Sequence, residues 1–102
     1  MIGRLWRGFT MPGKADDYAN HLYGTLLPEL RALAGFRNVQ LLRRDMADGA
    51  EIVVVTYWDS LDAIRAFAGD DVERAVVADE VQPLFRVYDA MVRHYSVVSN
   101  PL

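Results

Sequence analysis

The sequence predicts an α+β fold, an antiparallel sheet with helices packed on one of its faces. Three observations carry this. Runs rich in β-branched and aromatic residues alternate with stretches of helical periodicity, in the order β-α-β-β-α-β. The two middle runs are joined by turn residues alone, so they form a hairpin and not a parallel pair. With 102 residues and 52% hydrophobic content, the chain has the length and apolar content for one small domain with its own core.

Ile2 to Thr10 reads as the first strand. Leu5 and Phe9 fall on one face, Ile2 and Trp6 on the other, and Arg4 and Arg7 are split between the two. Met11-Pro12-Gly13-Lys14 breaks the strand. A helix then starts near Ala15, with Asp16 and Asp17 at its positive end. Tyr18, Leu22, Leu26, Leu30 and Leu33 form its apolar stripe. Pro28 lacks an N–H and predicts a kink or restart. Gly35 is expected to close the helix in a left-handed conformation.

Phe36 to Arg44 is the second strand and Glu51 to Trp58 the third. Asp48-Gly49 is the strongest turn pair between them. The run Ile52-Val53-Val54-Val55 predicts burial on both faces. Asp59 or Ser60 caps a helix from Leu61, with Ile64, Phe67 and Ala68 facing inward. Gly69-Asp70-Asp71 interrupts it. A further helical stretch is expected over 72–81, and a last strand over 88–98. This order is the signature of a ferredoxin-like split βαβ unit. One domain is expected over residues 1–98, with a short tail over 99–102. Helices cover one face of such a sheet. A second copy of the chain is the simplest cover for the other, which makes a homodimer.

Composition narrows the partners. The formal charge of −3 argues against nucleic acid, which favours a basic footprint. Cysteine is absent, so there is no thiolate nucleophile, disulfide or Cys-based metal site. No apolar run approaches the ~20 residues that cross a bilayer. No secretory leader is visible in the opening residues, so a soluble cytoplasmic protein is expected, without a membrane partner. The two histidines show no metal-ligand spacing, and no Gly-rich phosphate loop is present, so neither metal nor cofactor is expected.

The residues that carry chemistry are few. His94 lies mid-strand, where an unpaired imidazole is costly. It reads either as a general base, with an ordinary pKa of ~6.5, or as a structural histidine. Trp6 and Trp58 offer area and one donor each to a ligand, or plug the core. Tyr57 must point opposite to Trp58. Tyr18 and His21 on the first helix are further candidate ligand contacts, with His21 expected nearer the surface. Arg4 and Arg93 could hold a phenolate or carboxylate, but an inter-subunit ion pair with Glu51 or Asp89 is the favoured reading.

Several of these segments together resemble a known family. They are Ile2-Gly3-Arg4-Leu5-Trp6, the Pro28-containing helix followed by Gly35, and the Trp58-Asp59-Ser60 junction. Ile64-Arg65-Ala66-Phe67-Ala68-Gly69-Asp70-Asp71 and Val92-Arg93-His94-Tyr95 complete the set. The chain resembles the antibiotic biosynthesis monooxygenase superfamily of dimeric α+β barrels. Haem-degrading members carry an Asn on the first strand, a Trp on the helix after strand three and a His beyond it. Here the first strand has no Asn, and Phe67 and Val77 stand about where the Trp and His would be, so the resemblance does not extend to haem degradation. Cofactor-free oxygenases of the superfamily act on polycyclic phenols, and the deprotonated substrate passes an electron to oxygen. By resemblance, this chain is expected to be a cofactor-independent monooxygenase-like enzyme for a small aromatic or polyketide-type compound. His94 would be base or orienting group, and Trp6 and Trp58 apolar walls. The alternative is a non-catalytic dimeric ligand-binding or stress-response protein of the same fold.

Overall fold

A computed structural model describes residues 1–99. The first strand, β1, spans Ile2–Thr10 as expected. A helical run follows as α1 (Ala15–His21), a π-turn (Leu22–Leu26) and α2 (Leu27–Arg31). The irregularity precedes Pro28 because a proline ring collides with the carbonyl four residues earlier, and the widened π-turn makes room for it. The hairpin strands are β2 (Phe36–Met46) and β3 (Gly49–Trp58). Next come α3 (Leu61–Ala68), a 3₁₀ turn (Asp79–Leu84), β4 (Phe85–Tyr88) and β5 (Arg93–Ser96).

The sheet order is β2-β3-β1-β4, with β5 also paired to β1, and every pairing is antiparallel. β1 is thus central, and the α+β, ferredoxin-like reading holds. Ser60 caps α3 by accepting from the Ala63 N–H at 3.1 Å, and Gly69 ends it at φ 80°. The hairpin loop is shorter than expected, since Met46 pairs with Gly49 across Ala47-Asp48 alone. Gly49 adopts φ 139°, and a Cβ there would lie 2.1 Å from the Thr10 carbonyl oxygen. Only glycine lets β3 pass that close to the end of β1.

Three expectations need correction. β3 is buried on one face only within the chain. Ala50, Ile52, Val54, Thr56 and Trp58 are buried, whereas Val53, Val55 and Tyr57 are half-buried. The second correction concerns 72–81, where residues 72–78 form no helix. Their backbone is drawn sideways into the sheet: Ala75 N–H donates to Ala90 O, Val92 N–H donates to Glu73 O, and Arg74 bridges Met91. Third, the last strand is split. Asp89 still donates its N–H to Arg7 O, but residues 90–92 turn aside to meet that loop before β5 rejoins β1. The tail expected over 99–102 shows no regular structure at Ser99, and residues 100–102 lie outside the described residues.

The helix-facing side of the sheet carries two packed groups. Trp6, Tyr18, Leu22, Ile52, Val54 and Phe85 anchor one; Leu30, Trp58 and Ile64 anchor the other. Trp6 and Tyr18 both meet the Phe85 ring edge-on, at 5.3 and 5.2 Å between centroids. Gly35 sits where a Cβ would strike the Ala63 Cβ at 2.6 Å, so α3 packs flush against the turn after α2. Between these groups the helices stand off from the sheet and leave a cleft.

Candidate functional site

The period-2 geometry of β1 aims Arg4 and Trp6 at the helices. The cleft above them has two lobes. The outer lobe holds about 100 Å³ and is bounded by Trp6, Tyr18, His21, Leu26, Phe67 and the edge residues Val76 to Ala78. The inner lobe, about 40 Å³, shares Trp6, Tyr18, Leu26, Phe67 and Val76 and adds Arg4, Thr56 and Val92. The walls are mainly aromatic and aliphatic, and His21, Thr25, Glu29 and Glu80 add polar groups to the outer lobe, a make-up compatible with a small-molecule site.

Trp6 is a wall of both lobes. Its indole N–H donates to Asp89 O at 2.8 Å, which fixes the ring. Tyr18 is buried, and its hydroxyl has no hydrogen-bond partner among the described residues. Burial alone pushes the Tyr18 phenol well above its ordinary range, so it stays protonated and can donate. His21 is half-buried at the mouth of the outer lobe, farther inward than its sequence context implied.

Trp58 does not join them. It is fully buried between Phe36 and Phe67, and its indole N–H donates to Thr56 Oγ1 at 2.8 Å. It is a core residue beneath α3 and not a cleft wall, because the end of β3 runs under the helix rather than under the gap. Tyr57 points to the opposite face, as alternation requires, and its hydroxyl donates to Gln40.

His94 lies directly across from Arg4 in the β1–β5 pairing. It does not line either lobe; Arg4 stands between it and the cleft. Arg4 Nη1 is 3.0 Å from His94 Nε2. A guanidinium only donates, so Nε2 must accept and the imidazole is neutral. Burial, then the Arg4 charge, holds the His94 pKa below its ordinary value, with Glu73 acting weakly the other way. The basic nitrogen of His94 is thus engaged, and the residue holds Arg4 instead of meeting a ligand.

Arg4 is the residue that the sequence undervalued. It is 4% exposed. Nη1 also donates to Val72 O, and Nη2 donates to Arg74 O at 2.8 Å. These two carbonyls belong to the stretch expected to be helical, so Arg4 binds the backbone that a helix would have used. Its guanidinium carbon lies 5.9 Å from the Phe67 ring centre. The expected ion pair falls instead to Arg7, on the other face, which approaches Glu51 at 3.9 Å and Asp89 at 3.8 Å within the same chain. Arg93 is exposed and makes no ion pair among the described residues. The signal for Arg4 was present in the alternation of β1, but its lack of a carboxylate partner depends on what packs above it.

Among the described residues no group of three or more His, Asp or Glu side chains is placed to hold a metal ion. No described helix is long and apolar enough to cross a membrane.

Comparison with known proteins places this geometry. Residues 1–79 match the family described as antibiotic biosynthesis monooxygenase. Comparison with curated proteins gives no significant match. Among solved structures, the chain is similar to a candidate antibiotic biosynthesis monooxygenase from Bacillus cereus, at TM-score 0.67 and 16% identity, covering 99% of this chain and 96% of that one. It is also similar to the heme-degrader MhuD from Mycobacterium tuberculosis, solved with two hemes in its active site, at TM-score 0.61 and 19% identity over 98% of each chain. A dimeric ferredoxin-like protein from an uncultured marine organism aligns at TM-score 0.62 and 20% identity, over 99% and 97% of the two chains. At these identities the solved structures establish the fold and nothing more.

Proposed function

The chain belongs to the antibiotic biosynthesis monooxygenase family, and from that premise we propose that it is a small cofactor-independent monooxygenase-like enzyme. Its substrate is a small aromatic or polyketide-type compound held between sheet and helices. The observation that carries this reading is the cleft, walled by the rings of Trp6, Tyr18 and Phe67, with one unpartnered phenol.

In such chemistry the deprotonated substrate is its own reductant toward oxygen. The protein supplies an apolar chamber, a proton acceptor and donors for the oxyanion. Tyr18 is a protonated donor in the chamber wall. His21, at the mouth, is the proton acceptor in this reading, and His94 orients Arg4. The residues do not fit haem degradation. Phe67 and Val77 line the outer lobe where that chemistry needs a Trp and an iron-binding His, and neither side chain carries a metal donor.

We read residues 1–98 as one unit that pairs as a homodimer through the outer face of the sheet. The half-buried Leu5, Phe9, Val53 and Val55 on that face support this. The cysteine-free composition supports a cytoplasmic location.

The test is oxygen uptake with a panel of polycyclic phenols, alongside binding followed by tryptophan fluorescence. Oxygen consumption that falls at least tenfold in Tyr18→Phe supports the enzyme. Binding without oxygen uptake moves the protein to the second reading, a ligand-binding protein, which the engagement of His94 Nε2 by Arg4 favours. Neither binding nor uptake overturns both.

A further inference from the structure

The cleft as it stands is too small for a polycyclic ligand. Its lobes hold about 100 Å³ and about 40 Å³. An apolar cavity of ~150 Å³ accommodates a single benzene, and sites for larger ligands start at about 300 Å³. A compound of two or more fused rings therefore enters only if a wall moves. Three of the walls are fixed. β1 and β3 are joined by a continuous ladder, the first helical run is seated by Leu22 and Leu30, and α3 is seated by Ile64; all three side chains are fully buried.

The fourth wall is the stretch 70–78. It supplies Val76, Val77 and Ala78 to the outer lobe and Val76 to the inner one. It holds neither helix nor strand, only the isolated bridge of Arg74 to Met91. Val76 is 46% exposed although it lines both lobes, so little packs behind it. At its start stands Gly69, with φ 80° and no atom within 4 Å of an added Cβ, which leaves room for a pivot. At its far end the chain is anchored again by the buried Val81.

Arg4 holds this wall shut. From the central strand it donates to Val72 O and to Arg74 O, while its bond to His94 Nε2 and the Phe67 ring fix the guanidinium in place. Two backbone bonds add to the hold, Ala75 N–H to Ala90 O at 2.9 Å and Val92 N–H to Glu73 O at 2.7 Å. Hydrogen bonds from a charged donor outweigh neutral ones, so Arg4 is the stronger fastening.

We propose that residues 70–78 are a lid over the cleft, latched by Arg4 through Val72 O and Arg74 O, and that the lid lifts to admit a ligand. This rests on the cleft being the ligand site, and it deepens that reading by naming what controls entry. Reclosure over a bound ligand would keep water from it.

The structure offers its own lock for the test. Arg74 and Met91 are a non-hydrogen-bonded antiparallel pair, flanked by the two backbone bonds, and such pairs stand close enough for a disulfide. The chain has no cysteine, so Arg74→Cys/Met91→Cys can form one intrachain disulfide and no other. The acceptors of Arg4 are backbone atoms and stay in place. The probe is N-phenyl-1-naphthylamine, a neutral three-ring fluorophore that brightens in apolar surroundings, and its uptake by the full chain is followed by stopped flow. Oxidation of the double variant should slow uptake at least tenfold, and a reductant should restore it. Arg4→Met should take up the probe at least threefold faster than the wild type. Amide hydrogen exchange in the wild type needs neither disulfide nor probe. The Ala75 N–H should exchange at least tenfold faster than the amides of the β1–β3 ladder. Equal uptake by the oxidised and reduced forms, or an Ala75 N–H that exchanges only with the ladder, overturns the lid and leaves the cleft standing. No uptake in either form or in the wild type overturns both.

Discussion

His94 Nε2 accepts a hydrogen bond from the Arg4 guanidinium at 3.0 Å, across a directly paired position of β1 and β5. The bond exists only while the imidazole is neutral, because a protonated ring offers no acceptor and repels the guanidinium. Arg4 in turn holds Val72 O and Arg74 O, so the protonation state of His94 reaches the edge of the cleft.

This makes stability depend on pH in a defined direction. The folded-state pKa of His94 lies below its unfolded value. The contribution is therefore complete above the ordinary histidine pKa of ~6.5 and is lost as pH falls through the lower folded value. Carboxylates also titrate on the acid side, so the informative quantity is a difference. His94→Gln keeps an acceptor but cannot charge. The thermal midpoint of the wild type should fall more steeply between pH 7 and pH 5 than that of His94→Gln. Equal acid slopes would show that the imidazole is not the titrating group.

The two tryptophans should separate in experiment. Trp58 is fully buried and bonded to Thr56, whereas Trp6 borders both lobes. Trp58→Phe should cost about 1–3 kcal/mol in urea denaturation through lost volume and an orphaned partner, while probe binding stays within twofold. Trp6→Phe should weaken probe binding at least fivefold. A Trp58→Phe chain that is stable but cannot bind would return Trp58 to the cleft.

Two glycines should respond with opposite signs. At Gly49 a methyl group meets the Thr10 carbonyl at 2.1 Å, and φ is 139°. Gly49→Ala should lose at least about 2 kcal/mol. At Gly24, in the π-turn, no atom lies within 4 Å of an added Cβ, and φ is not positive. Gly24→Ala should gain about 0.5–1 kcal/mol by restricting the unfolded chain. Chemical denaturation of both variants checks the pair, and a stabilised Gly49→Ala would contradict the close approach of β1 and β3.

The outer face of the sheet offers the last check. Val55 sits at its centre, paired with Leu5 on β1 and Gln40 on β2. Val55→Lys should shift sedimentation from dimer to monomer at micromolar concentration, since an ammonium buried between two such faces has no counter-charge. A wild-type chain that sediments as a monomer throughout would remove the homodimer.

Much of this was legible in the order of residues. Alternation along β1 put Arg4 and Trp6 on one face and Arg7 on the other. Turn chemistry located the hairpin, Asp59 or Ser60 announced α3, and Pro28 announced the break in the first helix. These are local properties, set by the period of the backbone and the needs of its termini. What tertiary structure decided is who stands opposite whom. Residues 72–78 have helical composition, yet Arg4 takes two of their carbonyls, Ala90 O takes the Ala75 N–H, and the Val92 N–H takes the Glu73 carbonyl. That same capture splits the last strand and leaves Arg4 among carbonyls instead of carboxylates. It turns His94 from a free base into a holder of Arg4, while the path of β3 beneath α3 carries Trp58 out of the cleft. A strand pattern specifies a face; the register between strands and the loop that lands on them specify the partner, and the chemistry of this site is made by partners.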